Sequence, residues 1–521
     1  MAPDPRFRYL YVIWAVLECL FFGGLLYGWG SLVFVLKEIG VYSEMCDDYA
    51  KNGSLSDDLT LGVRSSTISS VRYSIIGNGS YAEYNTSSPD AAGDTRQNLE
   101  CPERDKRLTL VFTIGSMMFC AGCAVMGQIN FKYGTRATRL CALMCFTLGG
   151  LLTGFTSHEV PWLIFPGLSL LGIGGIPLLM TGTQFSMLFT KGSSTVVALL
   201  SGSFDASSGV VLIFKLLHEQ GISLRSSMLV ITGAHFLTLI STFFFLPRGF
   251  ISKARPGLMA EDAVHNEAGV ELIGRISGHM DKTDKETEIE KEPKEETKCK
   301  GKKLPPIKSC IMSPTYYLHV IWLSILQLRF YYFLGSLNAW LNSMLNTKEE
   351  VSYFTNVCLF TMMCGFITSP MAGLVYDIHK RIFGDSRSQL RRDLMPAVPP
   401  LAFTSVLGIA LSVLQLFDNP SVLYPTFIFN TVFRSFIYSM GAAYINVMFP
   451  SEYFGLLYGL MIILSGIISL AQYILFIWAE TYGFTVVNGF LIAFMATSLV
   501  HPFSQWYFCR RAESEGIIQS C

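Results

Sequence analysis

Five ionisable side chains lie inside stretches apolar enough to be buried in a bilayer: Glu18, Asp205, Lys215, Arg329 and Arg434. A charge at that depth is costly unless it meets a partner or water, so each marks a candidate substrate or ion pathway. Amides add groups that donate and accept at once. At 100° per residue, Gln327, Tyr331, Asn338 and Asn342 fall within about 60° of one another. They form a polar stripe down one helix, and such a stripe has to face water or protein. Arg329 falls on nearly the opposite face, unless Gly335 resets the phase. Asn430, Arg434, Tyr438, Gly441 and Tyr444 share a second face, and Ser201, Asp205, Ser208 and Lys215 a looser third. Tyr11, Glu18, Phe22 and Trp29 surround one carboxylate with aromatic rings, and Gln184 is the main polar candidate of its own span. Two uses of these groups stay open: lining a central cavity, or pairing to fix helix packing. Trp29, Tyr331, Tyr332 and Tyr444 also offer flat faces on which a planar substrate could stack.

Reaction chemistry is absent from the pattern. No P-loop, GxSxG or HExxH occurs, which argues against an ATP-driven pump, a serine hydrolase and a zinc protease. Cys120-Ala-Gly-Cys123 has CxxC spacing but no second pair or histidine beside it, so a metal or redox role is not expected. His158, His218 and His319 read as isolated residues at span edges. The expectation is no enzyme, no cofactor and no metal.

The elements that must position these groups are membrane spans. Of 521 residues, 51% are hydrophobic and only 15% charged, with a mean hydropathy of +0.41. That composition marks an all-α polytopic membrane protein. The net charge is zero, so nothing points to nucleic acid. Predicted spans are Tyr9–Leu36, Leu108–Phe131, Leu140–Thr156, Pro161–Phe189, Ser194–Leu217 and Arg225–Leu246, then Tyr317–Leu345, Ser352–Tyr376, Ala397–Phe417, Val422–Phe449, Phe454–Ala479 and Thr485–Phe508. Each is about as long as a bilayer crossing requires.

The two blocks of six spans are separated by 247–316, where 281–303 carries eight lysines and eight acids with almost no large apolar residue. Such a run cannot bury a core and reads as a solvated, disordered linker. The chain therefore divides into an N-terminal six-helix bundle (1–246), the linker, a C-terminal six-helix bundle (317–508) and a tail (509–521). Loop 43–106 holds three sequons, at Asn52, Asn78 and Asn85, which marks it as glycosylated and lumenal. Cys46 and Cys101 bracket that loop and are placed to staple it with a disulfide. Basic residues cluster in the loops on the other side: Lys132, Arg136 and Arg139 after the second span, Lys380, Arg381, Arg387, Arg391 and Arg392 after the eighth. The bias puts both termini and the linker in the cytosol. Gly127-Gln-Ile-Asn-Phe-Lys and Gly373-Leu-Val-Tyr-Asp-Ile occupy matching places in the two halves, the repetition an alternating-access transporter uses.

Several motifs carry a resemblance: Leu17-Glu-Cys-Leu20, Gly28-Trp-Gly-Ser-Leu-Val-Phe34, Gly202-Ser-Phe-Asp-Ala-Ser-Ser208, Ile213-Phe-Lys-Leu-Leu217, Gly221-Ile-Ser-Leu-Arg225, Leu246-Pro-Arg-Gly249 and Phe449-Pro-Ser-Glu-Tyr-Phe-Gly455. Through them the chain resembles solute carrier family 43 of the major facilitator superfamily, and more its equilibrative nucleobase branch than its large neutral amino-acid branch. The resemblance implies twelve helices in two bundles and sodium-independent facilitated transport of adenine, guanine or hypoxanthine. It also makes Asp377 a gating residue at the end of the eighth span, whereas the first-half copy of that motif has Phe131 in place of an acid.

The combined expectation is a monomeric plasma-membrane uniporter of a small molecule. Its central site would be built from Glu18, Phe22, Gln184, Asp205, Gln327, Tyr331, Asn338 and Arg434, facing one shared wet crevice. A large neutral amino acid is the alternative substrate, with Arg434 and an acid meeting its two charges. A membrane scaffold acting through the linker is the remaining alternative.

Overall fold

The computed structural model describes residues 5–46, 101–189, 193–247, 306–384, 386, 389–450 and 453–514, and is helical without strands among them. The sequons at Asn52, Asn78 and Asn85 and most of the linker lie outside the described residues. Twelve elements matter. In the first half they are α1 (Arg8–Phe22 and Leu25–Glu38), α2 and α3 (the limbs 102–133 and 135–154 of one helix, Pro102–Gly154), α4 (Pro161–Leu188), α5 (Thr195–Glu219) and α6 (Leu224–Phe245). In the second they are α7 (Pro314–Met344), α8 (Lys348–Met363 and Gly365–Ile382), α9 (Met395–Leu414), α10 (Leu423–Met448), α11 (Phe454–Tyr482) and α12 (Phe484–Arg511).

Among the described residues, eight helices are long and apolar enough to cross a membrane, or ten with the bent pairs α1 and α8. The 53-residue helix Pro102–Gly154 is about 80 Å long, enough for two crossings of ~30 Å. α10 has the length and is less apolar because it carries Asn430 and Arg434. The set is consistent with twelve crossings. Apolar residues such as Met144, Leu148, Ile367 and Met371 point outward, the surface a lipid solvent selects. α1–α6 and α7–α12 each pack among themselves, and the seam between them brings α1, α2 and α5 against α7, α8 and α11, with α10 reaching across through Arg434.

Local chemistry sets the ends. Pro102, Pro161 and Pro314 start their helices, where a missing N–H costs nothing. Ser313 caps α7 by accepting from the Tyr316 N–H at 3.2 Å, so α7 begins ahead of the expected Tyr317. Ile307–Ile311 forms a short helix before it. Gly134 breaks α2 from α3 with φ 81°, a left-handed conformation that favours glycine. Because that break is a single residue, Arg139 sits inside α3 and is 3% exposed, not in a surface loop as the spacing of charges suggested.

The expected unbroken first span is also corrected. α1 bends 41° at Gly23-Gly24. The N–H freed there donates to Ser207 Oγ at 2.7 Å, a side-chain replacement for the lost helical acceptor. α5 itself breaks between Ala206 and Ser208, and α8 bends 43° at Cys364. Gly365 lets that bend lie on α5, since a Cβ there would stand 2.8 Å from Asp205 Cβ. Three interrupted helices thus meet around residues 204–208.

Candidate substrate site at the seam

The break in α5 presents Asp205 to the other half of the molecule. Its Oδ1 lies 2.9 Å from Nη2 of Arg434 on α10, and its Oδ2 accepts from Ser369 Oγ of α8 at 2.8 Å. The Asp205 backbone carbonyl, beside the interruption of α5, accepts from Arg434 Nη1 and from Ser208 Oγ, each at 3.2 Å. The Arg434 guanidinium carbon stands 3.9 Å from the Tyr27 ring centroid and 5.7 Å from that of Phe330. Around Tyr27 lie Phe119 at 5.5 Å, Phe330 at 5.9 Å and Phe204 at 6.3 Å, centroid to centroid. The result is an aromatic cluster with one flat cation over the Tyr27 ring.

A second layer continues on α7. Gln327 Nε2 donates to Cys120 Sγ of α2 and to Ser469 Oγ of α11, both at 3.5 Å. The Tyr331 hydroxyl lies 3.6 Å from Cys120 Sγ and accepts from the Tyr438 hydroxyl at 3.5 Å. Gln472 of α11 donates to Ser116 of α2 at 2.9 Å. Asp205, Arg434, Gln327 and Tyr331 are therefore all on the seam. Tyr27, Phe119, Phe204, Phe330 and Cys120 join them unforeseen. Tyr27 sits in the α1 break, where helical phase from Glu18 no longer holds.

The other predicted site residues lie elsewhere. Glu18 is buried within the first half. Its Oε2 pairs with Arg139 Nη2 at 2.7 Å, Trp14 Nε1 donates to its Oε1 at 2.8 Å, and Ser241 hydrogen-bonds both Glu18 and Arg139. Arg139 Nε also donates to Thr181 Oγ1 at 2.8 Å. Four helices are tied by this one cluster, and none belongs to the second half. Phe22 packs edge-on against His235 and Phe146. Gln184 donates to Thr135 at 3.1 Å, at the end of α4. Asp377 is exposed and makes no ion pair among the described residues. Arg329 turns away, as its phase suggested, and donates to Ser412 at 2.7 Å and to Gln415. His319 is not an isolated edge residue. It is fully buried, 3.1 Å from His501 and 3.0 Å from the Gly441 carbonyl.

Asn338 belongs to a seal near the Cys46–Cys101 disulfide, a side called here the disulfide face. Lys37 donates to Asn338 Oδ1 at 2.6 Å and pairs with Asp105 at 2.5 Å. Beside it Lys215 crosses the seam: its ammonium donates to Asn356 Oδ1 at 2.6 Å, Ser352 Oγ at 2.5 Å and Glu219 at 2.9 Å. Glu38 and Lys348 add a 2.8 Å pair. A cavity of about 370 Å³ lies outside this clasp, lined by Phe34, Glu38, Glu219, Lys348, Ser352 and Asn356 among others. The expected common crevice is closed: Gln327 and Tyr331 are 0% exposed and Arg434 2%. On the opposite side α11 lies directly on α2, where a Cβ at Gly466 would stand 2.6 Å from Cys120 Cβ.

The Major Facilitator Superfamily model matches residues 105–473. The chain is 32% identical to equilibrative nucleobase transporter 1 of Bos taurus, with 98% of each chain covered. It is 24% identical to large neutral amino acids transporter small subunit 3 of Homo sapiens, over 99% of this chain and 97% of that one. Among solved structures, the human organic anion transporter MFSD10 aligns with a TM-score of 0.52 at 11% identity, over 96% of this chain and all of that one, a likeness of fold alone. The helix count, the paired halves and these matches agree: the chain belongs to the Major Facilitator Superfamily, as a membrane transporter of solute carrier family 43.

Proposed function

We propose that the protein carries purine nucleobases across the plasma membrane by facilitated, sodium-independent alternating access, as a monomer. The observation that carries this reading is the aromatic cluster of Phe119, Phe204 and Phe330 around Tyr27, with the Arg434 guanidinium over the Tyr27 ring. A purine is flat and apolar on its faces, with donors and acceptors at its edge. The cluster suits the faces, and Gln327 and Arg434 suit the edge. The higher identity to a nucleobase transporter than to an amino-acid transporter points the same way. In this reading the bundles of α1–α6 and of α7–α12, the second beginning at Pro314 rather than at the expected 317, are the rocking halves. The linker 247–316, the tail 509–521 and both termini are cytosolic, and Asp377 gates the cytosolic mouth. Loop 43–106, glycosylated at Asn52, Asn78 and Asn85, is extracellular. The site residues are then Asp205, Gln327, Tyr331 and Arg434, with Tyr27 added.

The second reading is a facilitator of large neutral amino acids. It is favoured by the Asp205–Arg434 pair at 2.9 Å, whose two charges match an ammonium and a carboxylate. Uptake of radiolabelled adenine and of leucine by expressing cells, with and without sodium, tests both. Saturable adenine uptake that survives sodium replacement is expected. Saturable leucine uptake without adenine uptake would overturn the first reading in favour of the second.

A further inference from the structure

We infer that Asn430 determines specificity for the transported base by reading its hydrogen-bonding edge, an inference that rests on the nucleobase reading above. Asn430 lies on α10 one turn from Arg434, toward the end where Tyr424 meets Tyr353 at 3.2 Å between hydroxyls. Helical register puts it about 40° from Arg434, on the face that meets Asp205 and Tyr27. Its side chain is 0% exposed. Neither Oδ1 nor Nδ2 has a hydrogen-bond partner.

That condition is unusual among the buried amides of this molecule. Other buried amides are engaged: Gln184 with Thr135, Asn338 with Lys37, Gln415 with Arg329, Gln472 with Ser116 and Asn488 with the Phe484 carbonyl. Gln327, Gln472 and Asn488 each use their nitrogen and leave their side-chain oxygen without a partner. Among the described residues, Asn430 is the one buried amide with both ends unpaired. Folded proteins leave few such groups, because a dry unpaired amide loses its water without compensation. A leucine of similar size would serve packing better. An occupant that supplies one donor and one acceptor resolves the position.

The six-position edge of a purine is such an occupant. Adenine offers an amino donor at N6 beside an acceptor at N1. Hypoxanthine offers the reverse, an acceptor at O6 beside the N1–H donor. A carboxamide answers either after a half-turn of its own plane. An amide at 430 therefore accounts for tolerance of amino and oxo bases together. Guanine adds a second donor, N2–H, beside N1–H. A carboxylate, which only accepts, meets those two donors with its two oxygens and has nothing for the N1 of adenine.

The test is uptake of labelled adenine, hypoxanthine and guanine by cells expressing the full chain, normalised to surface protein. Asn430→Leu should lower uptake of adenine and hypoxanthine alike by about tenfold or more, chiefly through KM. Asn430→Asp should move the guanine-to-adenine ratio about tenfold toward guanine. The second variant decides even if the first fails to reach the surface. An Asn430→Asp protein at normal surface level with an unmoved ratio overturns the inference. A wild-type protein that carries leucine and no base overturns the functional reading instead, and the two failures are told apart before any variant is made.

Discussion

Arg434 stacks on Tyr27 at 3.9 Å while holding Asp205 at 2.9 Å, so one cation of the second half grips two helices of the first. A lysine there keeps the charge but can neither stack flat nor fork onto the carboxylate and carbonyl. Arg434→Lys should lower uptake on the order of tenfold, ~1.4 kcal/mol of lost stabilisation, with surface biotinylation unchanged. Wild-type uptake from a fully expressed Arg434→Lys protein would remove the clamp from the transport cycle.

The Lys215 clasp predicts a change of access. Lys215→Met removes the bonds to Asn356 and Ser352 across the seam, and Asn356→Leu removes one of them from the other side. Either should favour opening at the disulfide face. Cys120, buried on the seam, should then react several-fold faster with a membrane-impermeant thiol reagent added on that face, against a Cys120→Ser control. Equal labelling rates in wild type and both variants would mean the clasp does not hold that face shut.

Glu18 should behave as a structural group. Breaking a buried pair by removing one partner costs about 3–5 kcal/mol. Glu18→Gln leaves Arg139 without its carboxylate at 2.7 Å, so the purified protein should melt at a distinctly lower temperature. Uptake per surface molecule should stay within about twofold, because the cluster lies wholly within one half. Unchanged melting with a large fall in uptake would return Glu18 to the substrate path.

Gly175 tests the close approach of α4 to the α1 break. A Cβ there would collide with the Gly23 carbonyl oxygen, backbone against backbone. Gly175→Ala should cost about 1–3 kcal/mol or more, read as a lower yield of monodisperse protein. A normal yield and melting temperature would mean the two helices separate easily.

The α7 stripe was legible because a long uninterrupted helix keeps its phase: Gln327 and Tyr331 face α2, and Arg329 faces α9. Phase says nothing of depth, however. Asn338 shares the stripe and yet sits at the disulfide-face seal, and Gln184 sits at the far end of α4. The Glu18–Arg139 pair was illegible because three basic residues in eight read as a loop, while a single left-handed glycine let the helix continue through them. Tyr27 was missed because the α1 break resets the register on which its face would have been read.

The disulfide joins residues 55 apart in sequence while keeping their Cα atoms 5.5 Å apart. Whatever lies between is thereby mechanically uncoupled from the distance between α1 and α2. The cross-link, rather than the chain length between its ends, therefore sets that separation, so an epitope or a tag inserted between Cys46 and Cys101 leaves the helices that have to move under the same covalent restraint.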